Sequence, residues 1–531
     1  MGARAAEGAS GDGGRRPRRE RGGADLSAGS GPHRSTSLGL QYLRAAVEAA
    51  PDLRQAYRVR VRTVCLDEWN PLQTLIGADP SILESEILRD LVACEPSVIG
   101  YSLYPWNRNI LVSIARQAKS FLPETVQVAG GCSVSGRGRA LLEENRCLDA
   151  VLEGEAEETF PAFLRALRDR GPVDGIPGIT FRKGGGLISA SPNPGPRELD
   201  RVPSFWSSYE PRPGEAIYYE ASRGCRWKCR YCDFRRRQGI RWFSLPRIRE
   251  DFKRLARLAP RPIYFVDSDL CGDRRHGARI LRFLLNETQG LSFGFEMNAI
   301  NLSAEVITLL CELFARQKLF HLEIGVQTTS RRAGELAGRR WDPERFTANL
   351  MALRSGAPGI PFKFNLILGL PGDTEEEFLR SVDFLSRFRP CRILAYPLRV
   401  IPGTEVHRDA GRLGLIFDEE SPYQVWATRE ISLDGMIRLR KFAALLALSS
   451  FGHPEGPSGV EVGEPPSVSS AILECMRSVT LPDGAYERMD GRLADACRAF
   501  LRRSGLSGGP AWKEGPPASN GPLVFNLDLN T

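Results

Sequence analysis

The feature that most restricts the fold is an alternation of strand and helix patterns between residues 216 and 400. Short apolar segments alternate there with longer segments of helical spacing, such as 245–258 and 374–388. The short segments are 216–222, 262–267, 292–297, 319–326, 362–369 and 392–400. Such an alternation favours a parallel sheet covered by helices. We therefore expect a (β/α)6-type partial TIM barrel, whose chemistry lies at the carboxyl ends of its strands.

A second series of the same kind precedes the barrel. Strand patterns at 57–66, 97–104, 126–131 and 149–154 alternate with helical patterns. This arrangement predicts an α/β, Rossmann-like, doubly wound domain, in which ligands bind at the carboxyl ends of the strands. The residues at those ends are Tyr101, Ser102, Tyr104, Gly130, Gly131, Gly154 and Glu155.

Composition divides the chain into six regions. We expect a disordered tail over 1–35, the Rossmann-like domain over 36–170, and a linker with a small hairpin over 171–214. The barrel is expected over 215–408, a helical C-terminal region over 409–504 and a flexible tail over 505–531. The net charge is +8, and +3 of it lies in residues 1–35, where a solvated extension is the simplest interpretation.

The sequence also predicts where the protein acts. It contains no apolar run long enough to span a membrane and no secretory signal, and nine of its twelve cysteines are scattered. We therefore expect a cytoplasmic protein, with neither a membrane nor a nucleic acid as partner.

Three cysteines stand directly after the first predicted strand of the barrel. Cys225, Cys229 and Cys232 have the spacing C-x3-C-x2-C, so their thiolates can hold one metal centre. A structural zinc site usually takes four ligands, and the sequence offers no fourth Cys or His nearby. A [4Fe–4S] cluster held by three cysteines keeps one iron open for chemistry. We therefore expect such a cluster; a zinc knuckle and three incidental thiols are the alternatives.

This cysteine motif resembles that of the radical S-adenosylmethionine (SAM) superfamily, CxxxCxΦC after the first barrel strand. The resemblance implies that the open iron binds SAM and that the reduced cluster cleaves it to a 5′-deoxyadenosyl radical, which abstracts hydrogen from the substrate. Tyr231 is expected to shield the cluster and to contact SAM. The cofactors would supply the chemistry while the protein orients them, so no catalytic side chain is assigned beyond the cluster.

Further segments resemble the same superfamily in the same order: 321–330, 334–340, 364–378 and 398–407. The usual GGE-like run after the second strand is absent, and Asp267 and Asp269 occupy that region. Two plainer interpretations stay open: Glu323 could be a satisfied core carboxylate, and 369–372 could be only a turn. The SAM contacts that the resemblance implies are Glu323, Gln327, Arg339, Gly369, Leu370 and Pro371.

The Rossmann-like region resembles the cobalamin (B12)-binding domain that precedes some radical SAM barrels. Gly130-Gly131-Cys132 stands where that class has GGP, and 154–157 reads GEAE where it has GEGE. The closest resemblance is to a DUF4080-like group, over about residues 36–450. None of the five histidines lies within 57–170, so the domain would supply no histidine to cobalt. The cobalamin contacts that the resemblance implies are Tyr101, Ser102, Tyr104, Gly130, Gly131, Gly154 and Glu155.

Three functions are compatible with these features. The first is a cobalamin-dependent radical SAM methyltransferase acting on an unactivated carbon of a small molecule or peptide. The second is a radical SAM enzyme that catalyses a rearrangement or oxidation, with a cobalamin-free N-terminal domain. The third is a non-catalytic Fe–S binding module. Both enzymes would need a reductant such as flavodoxin or ferredoxin.

Overall fold

The computed structural model describes residues 22–29, 37–65, 80–211, 217–233, 239–258, 262–448 and 467–478. Within these ranges the chain forms two mainly parallel sheets, each covered by helices, and a C-terminal region that packs on the second sheet. The predicted α/β class, with a Rossmann-like domain before a partial barrel, is confirmed.

The first sheet has seven strands. They are β1 (Gly22–Gly29), β2 (Arg58–Cys65), β3 (Val98–Ser102), β4 (Val126–Gly130), β5 (Ala150–Leu152), β6 (Ile179–Lys183) and β7 (Gly186–Ser189). Their order is β2-β1-β3-β4-β5-β6-β7; the first five are parallel, and β6 and β7 are antiparallel. Its carboxyl ends therefore lie along one edge, as a doubly wound sheet requires.

Helices cover both faces of this sheet. They are α1 (Leu38–Glu48), α2 (Pro51–Ala56), α3 (Pro80–Cys94), α4 (Arg108–Phe121), α5 (Gly138–Glu144) and α6 (Thr159–Asp169). Successive residues of β3 point to opposite faces, so Val98 packs in one core and Ile99 in the other. The apolar strand runs seen in the sequence are explained by this burial on both sides.

Two features differ from the predicted regions. Strand β1 lies inside the expected N-terminal tail and pairs with both β2 and β3. Its glycine-rich sequence has low strand propensity, so the pairing depends on long-range backbone hydrogen bonds that the local pattern does not reveal. The predicted hairpin exists as β6 and β7, but it extends the first sheet instead of standing in a linker. It covers the edge of β5, which would otherwise expose unpaired backbone groups.

The barrel sheet has six parallel strands. They are β8 (Ile217–Tyr219), β11 (Pro262–Phe265), β12 (Ser292–Met297), β13 (Leu319–Gln327), β14 (Phe362–Leu368) and β15 (Cys391–Pro397), in the order β15-β14-β13-β12-β11-β8. Two short strands, β9 (Ser222–Arg223) and β10 (Arg241–Trp242), pair beside it. All six predicted strands are confirmed.

The burial pattern along the strands shows which side chains belong to the core and which face the barrel interior. In β14, Phe362, Phe364 and Leu366 are fully buried, whereas Lys363 and Asn365 between them are half-buried. The period of two places the apolar side chains under the helices and the polar ones inside the barrel. The polar interior is therefore the face available to a ligand.

Six helices surround the barrel: α7 (Leu245–Leu255), α8 (Arg274–Glu287), α9 (Ala304–Ala315), α10 (Arg331–Leu336), α11 (Pro343–Gly356) and α12 (Glu375–Leu385). Each begins at a Ser, Asp or Thr whose side chain accepts a backbone N–H of its first turn. These caps fix where each strand-to-helix loop ends, and those loops surround the site.

The C-terminal region contains α13 (Glu405–Arg408), α14 (Ala410–Leu413), the pair β16 (Ile416–Phe417) and β17 (Val425–Ala427), α15 (Leu433–Leu448) and α16 (Val468–Ser478). The tail predicted over 505–531 lies outside the described residues, and the outer bounds of the six regions stay predictions. None of the helices in the described ranges has the length and apolar character needed to cross a membrane.

Candidate functional site

The three cysteines lie on a loop that the β9–β10 pair closes at its base. Cys229 is buried, whereas Cys225 and Cys232 are half-buried. Gly224, directly before the first cysteine, has φ 100°, and a Cβ atom there would collide with the carbonyl oxygen of Gly239. Only glycine allows the two sides of the loop to come so close.

Three contacts hold this cysteine loop against the barrel. Arg226 Nη1 donates to the carbonyl oxygen of Gly272 over 2.6 Å. Trp227 Nε1 donates to Asp269 Oδ2 over 2.7 Å. The backbone N–H of Arg230 donates to the carbonyl oxygen of Ala337 over 2.8 Å. These three contacts position the loop without using any of the cysteine thiols.

The donor set of the loop fits an iron–sulfur cluster. Within the described residues, no three Cys, His, Asp or Glu side chains are arranged to hold one metal ion between them. A [4Fe–4S] cluster does not need such convergence, because each thiolate binds a different iron. Burial raises the pKa of the Cys225 thiol, so iron must displace a proton when it binds there.

Two predicted SAM contacts lie beside the buried cysteine. Arg339 Nη1 is 3.5 Å from Cys229 Sγ, and Arg339 Nη2 donates to the carbonyl oxygen of Gly325. The Gln327 side chain folds back over Gly325, where a Cβ atom would lie 2.8 Å from Gln327 Nε2. This places a fixed positive charge and an amide next to the cluster loop, a combination that suits an anionic ligand.

The two aspartates that stand in place of the GGE-like run accept hydrogen bonds from neighbouring residues of the protein. Asp267 accepts hydrogen bonds from the backbone N–H of Ala221, 3.1 Å from Oδ2, and from Ser222 Oγ. Asp269 accepts from Trp227 and from the backbone N–H of Asn298. Burial raises the pKa of Asp267 to about 7, although the hydrogen bonds from Ala221 and Ser222 oppose that shift. These carboxylates therefore support the cysteine loop.

Glu323 belongs to a polar cluster inside the barrel. Its carboxylate accepts from Lys363 Nζ over 2.8 Å and from Asn365 Nδ2 over 2.7 Å. Burial is the largest single effect on Glu323 and would raise its pKa, but the charges of Lys363 and His321 and the hydrogen bonds from Lys363 and Asn365 together keep the pKa low. Nearby Glu296 has a raised pKa because it is buried beside the charged Glu323. These contacts agree with the plainer interpretation of Glu323 as a satisfied carboxylate.

One cavity of about 840 Å³ connects the barrel interior with the first sheet. Pockets that bind ligands usually measure about 300–1,000 Å³, so this cavity can hold large groups. Tyr231, Cys232 and Gln327 line its barrel side. All seven predicted cobalamin contacts line its other side: Tyr101, Ser102, Tyr104, Gly130, Gly131, Gly154 and Glu155.

Glycines form a close-packed floor on the sheet side. Gly131 has φ 95°, and a Cβ atom there would lie 2.5 Å from the carbonyl oxygen of Leu103. Gly154 has φ 86°, and its Cβ atom would lie 3.2 Å from Asn193 Nδ2. Both positions therefore require glycine, and a floor without side chains lets a flat ligand reach the strand ends.

Two predicted cobalamin contacts have their side chains engaged elsewhere. The Tyr101 ring is buried in the core of the sheet, and its hydroxyl donates to Gln127 Oε1 over 2.5 Å. Glu155 pairs with Arg223 over 3.0 Å and also with Arg241. Tyr101 can therefore reach the cavity only through its backbone, and Glu155 joins the first domain to the β9–β10 pair.

The predicted contacts at Gly369, Leu370 and Pro371 lie away from this cavity. None of the three is among the described residues that line it. Leu370 is fully buried, and a Cβ atom on Gly369 would lie 3.0 Å from Met436 Cε. This turn packs against the C-terminal region, as its plainer interpretation expects.

Sequence reasoning missed several residues that line the cavity. Asn365 Oδ1 is buried without a hydrogen-bond partner among the described residues. Tyr396 and Arg399 line the barrel side, and Trp106 stacks on Tyr104 with the ring centroids 4.8 Å apart. Asn365 and Arg399 lie within the resembling segments 364–378 and 398–407, which could have singled them out. Tyr396 and Trp106 had no signal beyond a position near the end of a strand.

Comparisons with known proteins identify both domains. Residues 219–385 match the Radical SAM superfamily, and residues 29–164 match the B12 binding domain. The first match begins in β8 and contains the cysteine loop. The second contains the glycine floor at 130–131 and 154.

Several known proteins are similar to this chain. The chain is 32% identical over 210 residues to the hopanoid C-3 methylase of Methylococcus capsulatus, a match that covers 37% of this chain and 39% of that protein. It is 24% identical over 446 residues to the cytidylyl-2-hydroxyethylphosphonate methyltransferase of Streptomyces wedmorensis, covering 74% and 81%. The solved structure of the cobalamin-dependent SAM radical enzyme OxsB matches with TM-score 0.61 and 14% identity, covering 96% and 78%.

The chain is thus an enzyme of the radical SAM class. More specifically, it carries a radical SAM domain over 219–385 and an N-terminal B12-binding domain over 29–164. Its cofactors are therefore a [4Fe–4S] cluster, SAM and cobalamin. The DUF4080-like subgroup stays a prediction, as do the individual cofactor contacts.

Proposed function

We propose that the chain is a cobalamin-dependent methyltransferase that transfers a methyl group to an unactivated carbon of a small molecule or peptide. The single observation that carries this proposal is the shared cavity. The cysteine loop, through Tyr231 and Cys232, and the glycine floor, through Gly131 and Gly154, face the same space. A methyl donor on the floor and a substrate radical near the loop would therefore share one cavity, with no protein between them.

When bound, the cluster with SAM supplies a radical on the substrate, and cobalamin supplies the methyl group. The cysteines would hold the cluster, and Arg339 beside Cys229 would neutralise an anionic group of SAM. The floor at Gly131 and Gly154 would let the corrin ring lie against the strand ends. The protein thus binds and orients its cofactors and keeps water away from them, as cofactor enzymes do.

The names of the relatives support methyl transfer. The hopanoid methylase and the hydroxyethylphosphonate enzyme are both named for methylation of small molecules. The matched segment covers only 39% of the hopanoid methylase. The activity of that protein therefore supports the proposal but is not assigned to this chain. The alternative is a radical SAM enzyme with a cobalamin-free domain that rearranges or oxidises its substrate.

The test is anaerobic reconstitution of the full chain with iron, sulfide and hydroxocobalamin. We expect stoichiometric cobalamin, a [4Fe–4S] absorption band and 5′-deoxyadenosine after reduction in the presence of SAM. SAM cleavage without bound cobalamin would favour the alternative. Iron binding without SAM cleavage after reduction would favour the non-catalytic Fe–S binding module. With a substrate in hand, a product heavier by one methylene unit identifies methylation.

A further inference from the structure

The outer face of the cysteine loop carries a group of exposed basic side chains. Arg226 and Lys228 lie on the loop, and three arginines lie on the first two turns of α8. We call Arg226 and the three α8 arginines, Arg274, Arg275 and Arg279, the basic rim. All four are exposed, and exposed Lys228 lies on the same loop without being counted in the rim.

The basic rim faces away from the main cavity. A second cavity of about 770 Å³ is lined by Arg226, Gly272, Arg274 and Arg275. Within the described part of the chain, none of its lining residues also lines the main cavity. The cysteine loop therefore has two faces, with Cys232 toward the cofactor cavity and Arg226 toward the outside.

Acidic groups near the rim are already engaged. Asp273 caps α8 by accepting the backbone N–H groups of Arg275 and His276 over 3.0 and 3.1 Å. Asp269 is buried and accepts from Trp227. The rim thus keeps a net positive charge. The sequence continues with Arg235, Arg236 and Arg237, which lie outside the described residues and are not counted in the rim.

A partly exposed aromatic ring lies between the rim and the cysteines. Trp227 stands between Cys225 and Cys229 in sequence, and the Arg226 guanidinium lies 5.7 Å from its ring centroid. A partner docked on the rim would therefore contact the loop that holds the cluster without entering the cavity reserved for SAM and cobalamin.

We propose that the basic rim docks an acidic one-electron carrier protein that reduces the cluster. This proposal rests on the proposed function, because reductive SAM cleavage needs an electron from outside. One electron leaves the carrier, which is oxidised, and enters the cluster, which is reduced; no bond forms or breaks in this step. Complementary charge speeds the encounter of two proteins and makes it sensitive to salt. Electron-transfer interfaces are small, so a group of a few basic side chains is a sufficient docking surface.

The test compares two charge-reversed variants of the reconstituted enzyme. In R275E/R279E two exposed rim side chains change sign, and acidic residues in the first turns suit the amino end of α8. The control, R257E/R316E, makes the same charge change at two exposed arginines near the amino ends of the barrel strands. Reduced flavodoxin is the probe, and dithionite is a reductant that needs no docking.

We measure cluster reduction by stopped flow, and flavodoxin binding by fluorescence anisotropy, at low and high salt. R275E/R279E should slow reduction by flavodoxin about tenfold or more at low salt and less at high salt. It should weaken binding in parallel, while reduction by dithionite stays unchanged. The control should match the wild type in both assays.

Equal binding and reduction by wild type and R275E/R279E would overturn the proposal. Equal losses in both variants would do so too, because they would reflect overall charge. Binding of an oligonucleotide but not of flavodoxin would identify a different partner and reject the carrier. If dithionite reduces the wild-type cluster but SAM is not cleaved, the proposed function fails. The comparison of flavodoxin binding would then still test whether the basic rim docks the carrier.

Discussion

The Tyr423 hydroxyl accepts a hydrogen bond from Arg108 Nη1 over 2.6 Å, which joins the C-terminal region to the B12-binding domain. Arg137 Nη1 donates to the same oxygen over 2.5 Å. Both arginines also pair with Glu144. Two residues earlier in the same segment, Ser421 Oγ donates to the carbonyl oxygen of Pro105. The segment 421–423 therefore fixes the glycine floor relative to the barrel.

We expect Tyr423→Phe to loosen this junction. The substitution changes no residue of either cofactor site, but it lets the two sites shift relative to each other. Removing the phenolic oxygen leaves two arginine donors with one partner fewer, a loss of about 1–3 kcal/mol for buried groups. Denaturant unfolding measures that loss. The ratio of 5′-deoxyadenosine to methylated product should rise, because the radical would form while the methyl donor is misplaced.

A purely local effect of Tyr423→Phe would lower stability and leave that ratio unchanged. Arg139→Gln provides a comparison, since Arg139 donates to the carbonyl oxygen of Leu187 within the B12-binding domain. This variant should leave both stability and the product ratio close to those of the wild type. A rise in the ratio for Arg139→Gln would argue against a specific role for the junction.

Cys229→Ala should abolish cluster assembly. Cys229 is the buried member of the triad and lies against Arg339, so its loss removes one iron ligand at the centre of the loop. Iron and sulfide content after anaerobic reconstitution measure the effect. Cys311→Ala is the matched control, because Cys311 is half-buried and contacts the carbonyl oxygen of Leu353 on a barrel helix. Equal iron in the two variants would refute the cluster assignment.

Much of this architecture follows from periodicity. The six barrel strands and four of the five parallel strands in the first sheet were readable, because apolar segments of strand length alternate with helical ones. The cysteine motif, with its fixed spacing after a strand, likewise located the loop. Strand β1 and the attachment of the β6–β7 hairpin were not readable, since they depend on pairing between distant segments.

The site was predicted less completely for the same reason. Motif positions reveal which backbone segments approach a ligand, and Gly131 and Gly154 both line the cavity as expected. They do not reveal which side chains are already satisfied, as Glu155 is by Arg223. The contact of Tyr423 with Arg108 joins residues 315 positions apart and leaves no local pattern.

Gly131→Ala should disrupt the cobalamin floor. The new methyl group would meet Leu103 backbone atoms at 2.5 and 2.8 Å, at a φ of 95° that alanine rarely adopts. Strained backbone of this kind costs about 1–3 kcal/mol, and overpacking adds a similar amount. Equilibrium binding of hydroxocobalamin and thermal unfolding report the effect. Gly175→Ala, where the Cβ atom has open space away from this cavity, should change neither.

Asp267 predicts a pH dependence of stability. Its pKa is about 7 in the folded chain because it is buried, against about 3.9 for an unfolded aspartate. Between these values the folded state binds the extra proton, so this group's contribution to stability falls as the pH rises toward 7 and is constant above. Asp267→Asn removes the ionisation but keeps an oxygen acceptor for the Ala221 N–H.

The measurement is the free energy of unfolding of reconstituted wild type and Asp267→Asn between pH 5.5 and 8.5. The stability of the variant relative to wild type should rise by up to about 1.4 kcal/mol per pH unit below pH 7 and level off above. Asp273→Asn is the control: the pKa of Asp273 is lowered, chiefly by the His276 N–H, so its window lies at more acidic pH. A flat difference for Asp267→Asn would mean that Asp267 is ionised in the folded protein, and its two hydrogen-bond donors would then outweigh burial.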